Sequence, residues 1–188
     1  MATLTVEAAH DLVADALIRS GTDPAIAASV ARALVGAEAD GLKGHGLARV
    51  APYAAQVRAG KVVGDAEILV ERPRPGVLAI DAAHGFAYPA LDAAVARLPA
   101  IARQQGIAAA AIRRSHHCGA AGRPVEALAD EGLVALLFAN TPAAMAPWGG
   151  AKPVFGTNPL AFACPLPGRP PIVVDLALSK VARANIVG

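Results

Sequence analysis

From about residue 66 onward the chain alternates short apolar runs with helix-patterned segments, and that alternation points to an α/β architecture. The runs are GVLAI, IAAAAI, LVALLF, LAFAC and IVVD, separated by Gly and Pro, the pattern of mostly buried strands. Between the first two lies Tyr88 to Gly106, and between the next two lies AAGRPVEALADEG, both with helical spacing of their apolar residues. Strands that alternate with helices build a sheet with helices packed on it.

The residues before this alternation read differently. Ala9, Leu12, Val13, Ala16 and Leu17 recur at helical spacing between Thr5 and Ser20, with Glu7 near the positive end and Gly21 as a stop. Asp23 followed by Pro24 is a cap and first-turn pair for a second helix, whose stripe of Ile26, Val30, Ala33, Leu34 and Ala37 ends before Gly41. GLKGHG then interrupts the pattern, and a third helix starts near Leu47 or Ala51, with Pro52 in its opening, and ends at Val57. The Gly-, Lys- and Pro-bearing stretch between Ala59 and Pro75 is the soft boundary. The expected division is a helical N-terminal domain over 1–65 and an α/β domain over 66–188.

Composition narrows the partners. The 188 residues are 55% hydrophobic, 4% aromatic and 17% charged, with a net charge of +2. Lys and Arg are scattered without a basic run, so nucleic acid is not an expected partner. No apolar run reaches the ~20 residues that span a bilayer, and the start lacks a basic segment leading into a continuous apolar one, so neither a membrane nor export is expected. Two cysteines, Cys118 and Cys164, give neither a disulfide framework nor a four-thiolate zinc site, and a reducing cytoplasm fits them.

The sharpest chemical feature is Ser115, His116, His117, Cys118, Gly119, Ala120, Ala121 and Gly122, directly after IAAAAI and before a helix pattern. Small residues after His117 would let a phosphate or a nicotinamide ring approach the backbone, and a histidine delivers protons near neutral pH. The same histidines also read as loop groups satisfied by backbone or water. His116, His117 and Cys118 are all zinc-ligand types, but three consecutive residues rarely converge on one tetrahedral ion, so no metal is expected. Cys118 as a nucleophile would need a side-chain contact with a histidine that adjacency does not supply, so it reads as a packing residue.

His45 and Arg49 lie four residues apart and would face one way if their turn is helical. Arginine clamps a carboxylate, and a histidine one turn away could protonate the carbonyl oxygen or imine nitrogen of the same molecule. A glycine-rich helix end with a solvated Arg and a surface His is the competing reading. Thr157 and Asn158, before Pro159, could bond a cofactor or simply build a turn. Asp175 ends a strand and could accept bonds from ribose hydroxyls or cap a helix. No GxGxxG follows any of the strand patterns, so a Rossmann fingerprint is absent.

Read in order, ADGLKGHGLARVAPY, SHHCGAAG, APWGGAKPVFGTNPLAFACP and IVVDLALS resemble the successive signature segments of the malate/L-lactate dehydrogenase-like (type 2, non-Rossmann) oxidoreductases, over most of the chain. DAAHGFAYPAL with RRSHHCGAAG is most similar to the branch that reduces Δ1-piperideine-2-carboxylate and Δ1-pyrroline-2-carboxylate. The resemblance implies an L-sulfolactate dehydrogenase-like α/β fold, a helical N-terminal part followed by a mixed-sheet cofactor-binding domain. It implies hydride transfer from NADPH or NADH to C2 of a small 2-imino or 2-oxo carboxylic acid, in a homodimer. By the same resemblance His45 is the proton donor and Arg49 binds the substrate carboxylate. His117, Cys118, Gly119, Ala120 and Ala121 form a cofactor-contacting turn in which His117 is itself the acid/base in other members. Thr157, Asp175, Leu176 and Ala177 fall where the family contacts the dinucleotide, with Ser179 close by.

Two departures stand out. The serine that precedes the histidine in many members, a proton relay in the imine reductase branch, is Gly44 here. The chain ends at ANIVG, whereas family members continue further, which makes a fragment the expectation. Two rivals follow from these features, a zinc hydrolase around His116 and His117 and a noncatalytic remnant serving as a binding or dimerising module.

Overall fold

A computed structural model describes residues 3–179; the terminal ANIVG lies outside them. Helix α1 (Val6–Ile18) starts where Thr5 Oγ1 accepts from the Ala8 amide at 3.1 Å. Helix α2 (Pro24–Ala39) starts where Asp23 Oδ1 accepts from the amides of Ala25 at 2.8 Å and Ile26 at 3.3 Å, with Pro24 at its first position. Two 3-10 turns, Lys43–His45 and Leu47–Arg49, lead into α3 (Val50–Arg58), which accommodates Pro52 in its first turn, where its missing N–H costs nothing.

The chain forms two compact units, one reaching to Ala120 and the other beginning at Ala121. In the first unit, Val13, Leu17, Val30, Leu34, Tyr53, Val57, Phe86 and Tyr88 are buried in one core, whereas Leu12, expected on the stripe of α1, is 60% exposed. Helix α4 (Ala87–Gln105) is tied to α2 by Asp92, whose Oδ2 accepts from Ser29 Oγ at 2.6 Å and from Arg32 at 2.9 Å. The sheet of this unit has the order β1 (Leu69–Arg74), β2 (Val77–Asp81), β3 (Ala109–Arg113). β1 runs antiparallel to β2, and β2 parallel to β3. The parallel pair requires a crossover, and α4 supplies it. α4 also buries Ala90, Ala94 and Ile101 against Leu78 and Ile80.

The second unit packs α5 (Gly122–Asp130) on an antiparallel sheet of β4 (Ala135–Phe138), β5 (Leu160–Leu166) and β6 (Arg169–Leu176). Cross-strand partners put Ala135, Ala161, Ala163, Val173 and Asp175 on one face, and Gly122 at the start of α5 lies against Val173 and Asp175. The other face carries Leu136, Phe138, Phe162, Val174 and Leu176. Here the expectation of mostly buried strands fails: Leu136 is 57% and Phe138 69% exposed. An apolar run shows that both faces of a strand are apolar, not that both are covered. The architecture is mixed α/β, and no helix among the described residues is long and apolar enough to cross a membrane.

Candidate functional site

The loop from Arg114 to Ala121 leaves β3 and enters α5, and an ion-pair knot fixes its first residues. Asp81 closes β2 with a side chain only 7% exposed. Its carboxylate accepts from Arg114 Nε at 2.8 Å and Nη2 at 2.9 Å, from Arg113 at 3.0 Å and from the Ala83 amide at 2.9 Å. The His116 amide donates to Gly85 O at 2.9 Å, which pins the next stretch. The Arg114 guanidinium, with help from the Ala83 amide and Arg113, holds the Asp81 carboxyl down at about 2, against an ordinary 3.8. A carboxyl depressed in the folded state stabilises the fold fully above its unfolded value, and that contribution fades as the pH falls towards the folded one. Asp81→Asn should therefore lower stability at pH 7, and the gap from wild type should close between about pH 4 and pH 2. Denaturant titrations at several pH values check this; a gap that stays constant down to pH 2 would refute it.

The second support is glycine-dependent. Glu38, near the end of α2, accepts from the Leu47 amide through Oε2 at 2.9 Å, which clamps the joint between the two 3-10 turns. Gly46 sits at that joint, and a Cβ there would lie 2.9 Å from Glu38 Cα. His45 and Arg49 flank the clamp, one in each turn, so the single helical turn expected for them is two successive 3-10 turns. Arg49 Nε donates to Gly44 O at 2.6 Å, which ties the guanidinium to the turn that also carries His45.

These two supports bring His45 and His117 face to face, ring centroids 5.5 Å apart and planes 17° from parallel. His117 Nδ1 accepts from the Gly119 amide at 3.0 Å and lies 3.3 Å from Tyr53 Oη, which in turn lies 3.2 Å from Tyr88 Oη. Gly119 has φ +74°, and a Cβ there would lie 2.6 Å from Tyr88 Oη, so the backbone can make this approach only as glycine. His116 packs edge-on to Tyr53 at 4.9 Å and to Phe86 at 5.7 Å. Its Nδ1 is buried with no hydrogen-bond partner among the described residues.

Burial, and then the positive charges of His45, Arg49 and His116, push His117 down to about 4 from an ordinary 6.5. Burial, and then Lys61 and Arg49, do the same to His116. Both rings are neutral at pH 7, and burial raises Tyr53 and Tyr88, so both keep their hydroxyl protons. Tyr53 and Tyr88 escaped the reading of the sequence. The available signal was spacing, since Tyr53 follows Arg49 by one helical turn.

Cys118 is half-buried and in no disulfide, and Ala120 and Ala121 are buried. In the second unit, Thr157 is buried, and its Oγ1 lies 3.3 Å from Thr141 Oγ1. Asn158, at φ 36°, accepts from the Thr141 amide at 2.9 Å, so this segment is a built turn. Thr157 O accepts from the Leu178 amide at 2.9 Å, which draws Thr157 to the strand end holding Leu176, Ala177 and Ser179. Asp175 Oδ2 accepts from the Gly122 amide at 2.7 Å and so caps α5. No group of three His, Cys, Asp or Glu side chains among the described residues converges as a metal site, so the zinc reading finds no ligand set there.

The profile of the malate/L-lactate dehydrogenases matches residues 4–187. The chain belongs to that family. It is 50% identical over 184 residues to the NADP(+)-dependent (2R)-3-sulfolactate dehydrogenase of Chromohalobacter salexigens, spanning 98% of this chain and 55% of that one. The Δ1-piperideine-2-carboxylate reductase of Pseudomonas syringae superposes with a TM-score of 0.87 at 38% identity, over 97% of this chain and 55% of that one. The sulfolactate dehydrogenase of Methanocaldococcus jannaschii does so with a TM-score of 0.88 at 27% identity, over 97% and 53%. The chain spans about half the length of the relatives it matches.

Proposed function

We propose that this chain is the part of an NAD(P)-dependent oxidoreductase that holds a small 2-oxo or 2-imino carboxylate for reduction at C2. The observation that carries this reading is the stacked His45–His117 pair with Arg49 in the turn next to His45. Arg49 holds the substrate carboxylate. His45 delivers the proton to the carbonyl oxygen or imine nitrogen as the new C–H bond forms. His117, neutral at pH 7, offers an N–H that polarises the same atom. A reduced nicotinamide nucleotide would supply the hydride. The buried, unpartnered His116 Nδ1 suits such a guest, because an incoming amide can satisfy an orphaned ring nitrogen.

The reading keeps the division of labour expected from the sequence. Residues 1–65 bring His45 and Arg49, and residues 66–188 bring the nucleotide contacts His117 to Ala121, Thr157, Asp175 to Ala177 and Ser179. It also keeps a homodimer in the cytoplasm; sedimentation of the purified chain tests the dimer.

Between substrates, we favour a 2-hydroxy/2-oxo acid pair of the sulfolactate kind over a cyclic imine. Gly44 lacks the hydroxyl that relays protons in the imine branch by resemblance, and the sulfolactate dehydrogenase relative shares half of its aligned residues with this chain. The imine reading retains support from the 38% identical piperideine-2-carboxylate reductase. Following nicotinamide absorbance decides: (2R)-3-sulfolactate, malate and lactate with NADP(+) or NAD(+), against the two cyclic imines with the reduced nucleotides. Turnover of the imines alone would reverse the preference, and turnover of none would sink the reading.

A further inference from the structure

We infer that Tyr53, backed by Tyr88, is a positioning residue that fixes His117 in the tautomer carrying its proton on Nε2. The deduction starts from one donor whose direction is beyond choice. A backbone N–H can only donate, so the Gly119 amide at 3.0 Å makes His117 Nδ1 an acceptor, and the neutral ring must bear its proton on Nε2. Tyr53 Oη, 3.3 Å from the same nitrogen, shares that one lone pair with the Gly119 amide and can approach it only as a donor. With its proton committed there, Tyr53 can only accept from Tyr88 Oη at 3.2 Å. The chain of donors runs Tyr88 to Tyr53 to His117, and Gly119 makes it possible, since its bare Cα lets the backbone lie against the Tyr88 ring. Tyr53 is 3% and Tyr88 5% exposed, so water does not compete for these bonds.

The result for the site is directional. Both hydrogen bonds engage Nδ1, so the proton-bearing Nε2 is the nitrogen left to meet a ligand. The other titratable or charged groups acting on this imidazole and the two phenols are His45, Arg49, His116 and Cys118. The catalytic meaning of the tautomer rests on the proposed reductase function, but the tautomer itself does not.

Nitrogen-15 NMR of the imidazole rings in the 188-residue chain, titrated from pH 3 to pH 8, tests the inference without any substrate. His117→Gln assigns the signal. Wild type should show the proton on Nε2. Tyr53→Phe removes one bond that favours the neutral ring, so the His117 midpoint should rise by roughly one pH unit. Circular dichroism verifies folding; should Tyr53→Phe not fold, Tyr88→Phe, which leaves Tyr53 without its donor, should shift the midpoint the same way by a smaller amount. A wild-type proton on Nδ1, or an unmoved midpoint in the folded variant, would overturn the inference. Turnover measured on the same samples keeps the two ideas apart, because absent activity with the Nε2–H form present would count against the function alone.

Discussion

Replacing His45 with Gln is expected to lower kcat by about 10²–10⁴-fold, the usual worth of a positioned general acid. The reason lies in the neighbouring ring as much as in His45. His117 is neutral down to about pH 4, and its Nδ1 is engaged by the Gly119 amide. A neutral imidazole N–H is a competent hydrogen-bond donor and a very poor acid, so His117 can polarise a carbonyl without giving up its proton. On the proposed reading, the proton that completes reduction comes through His45, whose ring is stacked on His117 at 5.5 Å. The pH profile separates the two roles. His45→Gln should erase the limb of kcat that reports the proton donor, whereas His117→Gln should lower the plateau and leave that limb in place. If His45→Gln kept kcat within tenfold, or if only the His117 variant lost the limb, the assignment of roles would be reversed.

Much of the scaffold around these rings was legible in the sequence because it rests on local chemistry. Thr5 and the Asp23–Pro24 pair mark helix starts through their own hydrogen bonds and backbone geometry, and α1 and α2 begin there. β1 was not legible: Leu69–Arg74 is polar, carries Pro73 and lies exposed on the sheet edge, where no apolar run is needed. The residues expected to carry chemistry were visible as His45, Arg49 and His117, but their mutual arrangement was not. Stacking of His45 on His117 joins residues 72 positions apart in the chain, and it depends on the Glu38 clamp and the Asp81–Arg114 knot, neither of which has a motif. Tyr53 and Tyr88 are core aromatics with no motif to mark them; that the Tyr53 hydroxyl meets the His117 imidazole, with Tyr88 behind it, is a property of the packing.

The glycines of GLKGHG give the second large effect, and they divide sharply. Gly46→Ala is expected to destabilise the chain by about 1–3 kcal/mol, the scale of overpacking a tight contact. The added methyl would sit 2.9 Å from Glu38 Cα and Cβ as well as overlapping its carboxylate. A carboxylate can rotate away, but the Cα belongs to α2 and cannot. Relief requires the 3-10 turns to lift off α2, which breaks the bond from the Leu47 amide to Glu38 and displaces His45 and Arg49 together. Activity should therefore fall further than the lost stability alone explains, through a rise in KM as well as a fall in kcat. Gly44→Ala is the matched control, because nothing lies within 4 Å of a Cβ at that exposed position, and its stability should stay within about 0.5 kcal/mol of wild type. Denaturant midpoints of the two variants, read alongside their kinetics, make the comparison. Equal stability of Gly46→Ala and wild type would show that α2 yields at Glu38, and the clamp could then not be what holds His45 and Arg49 in place.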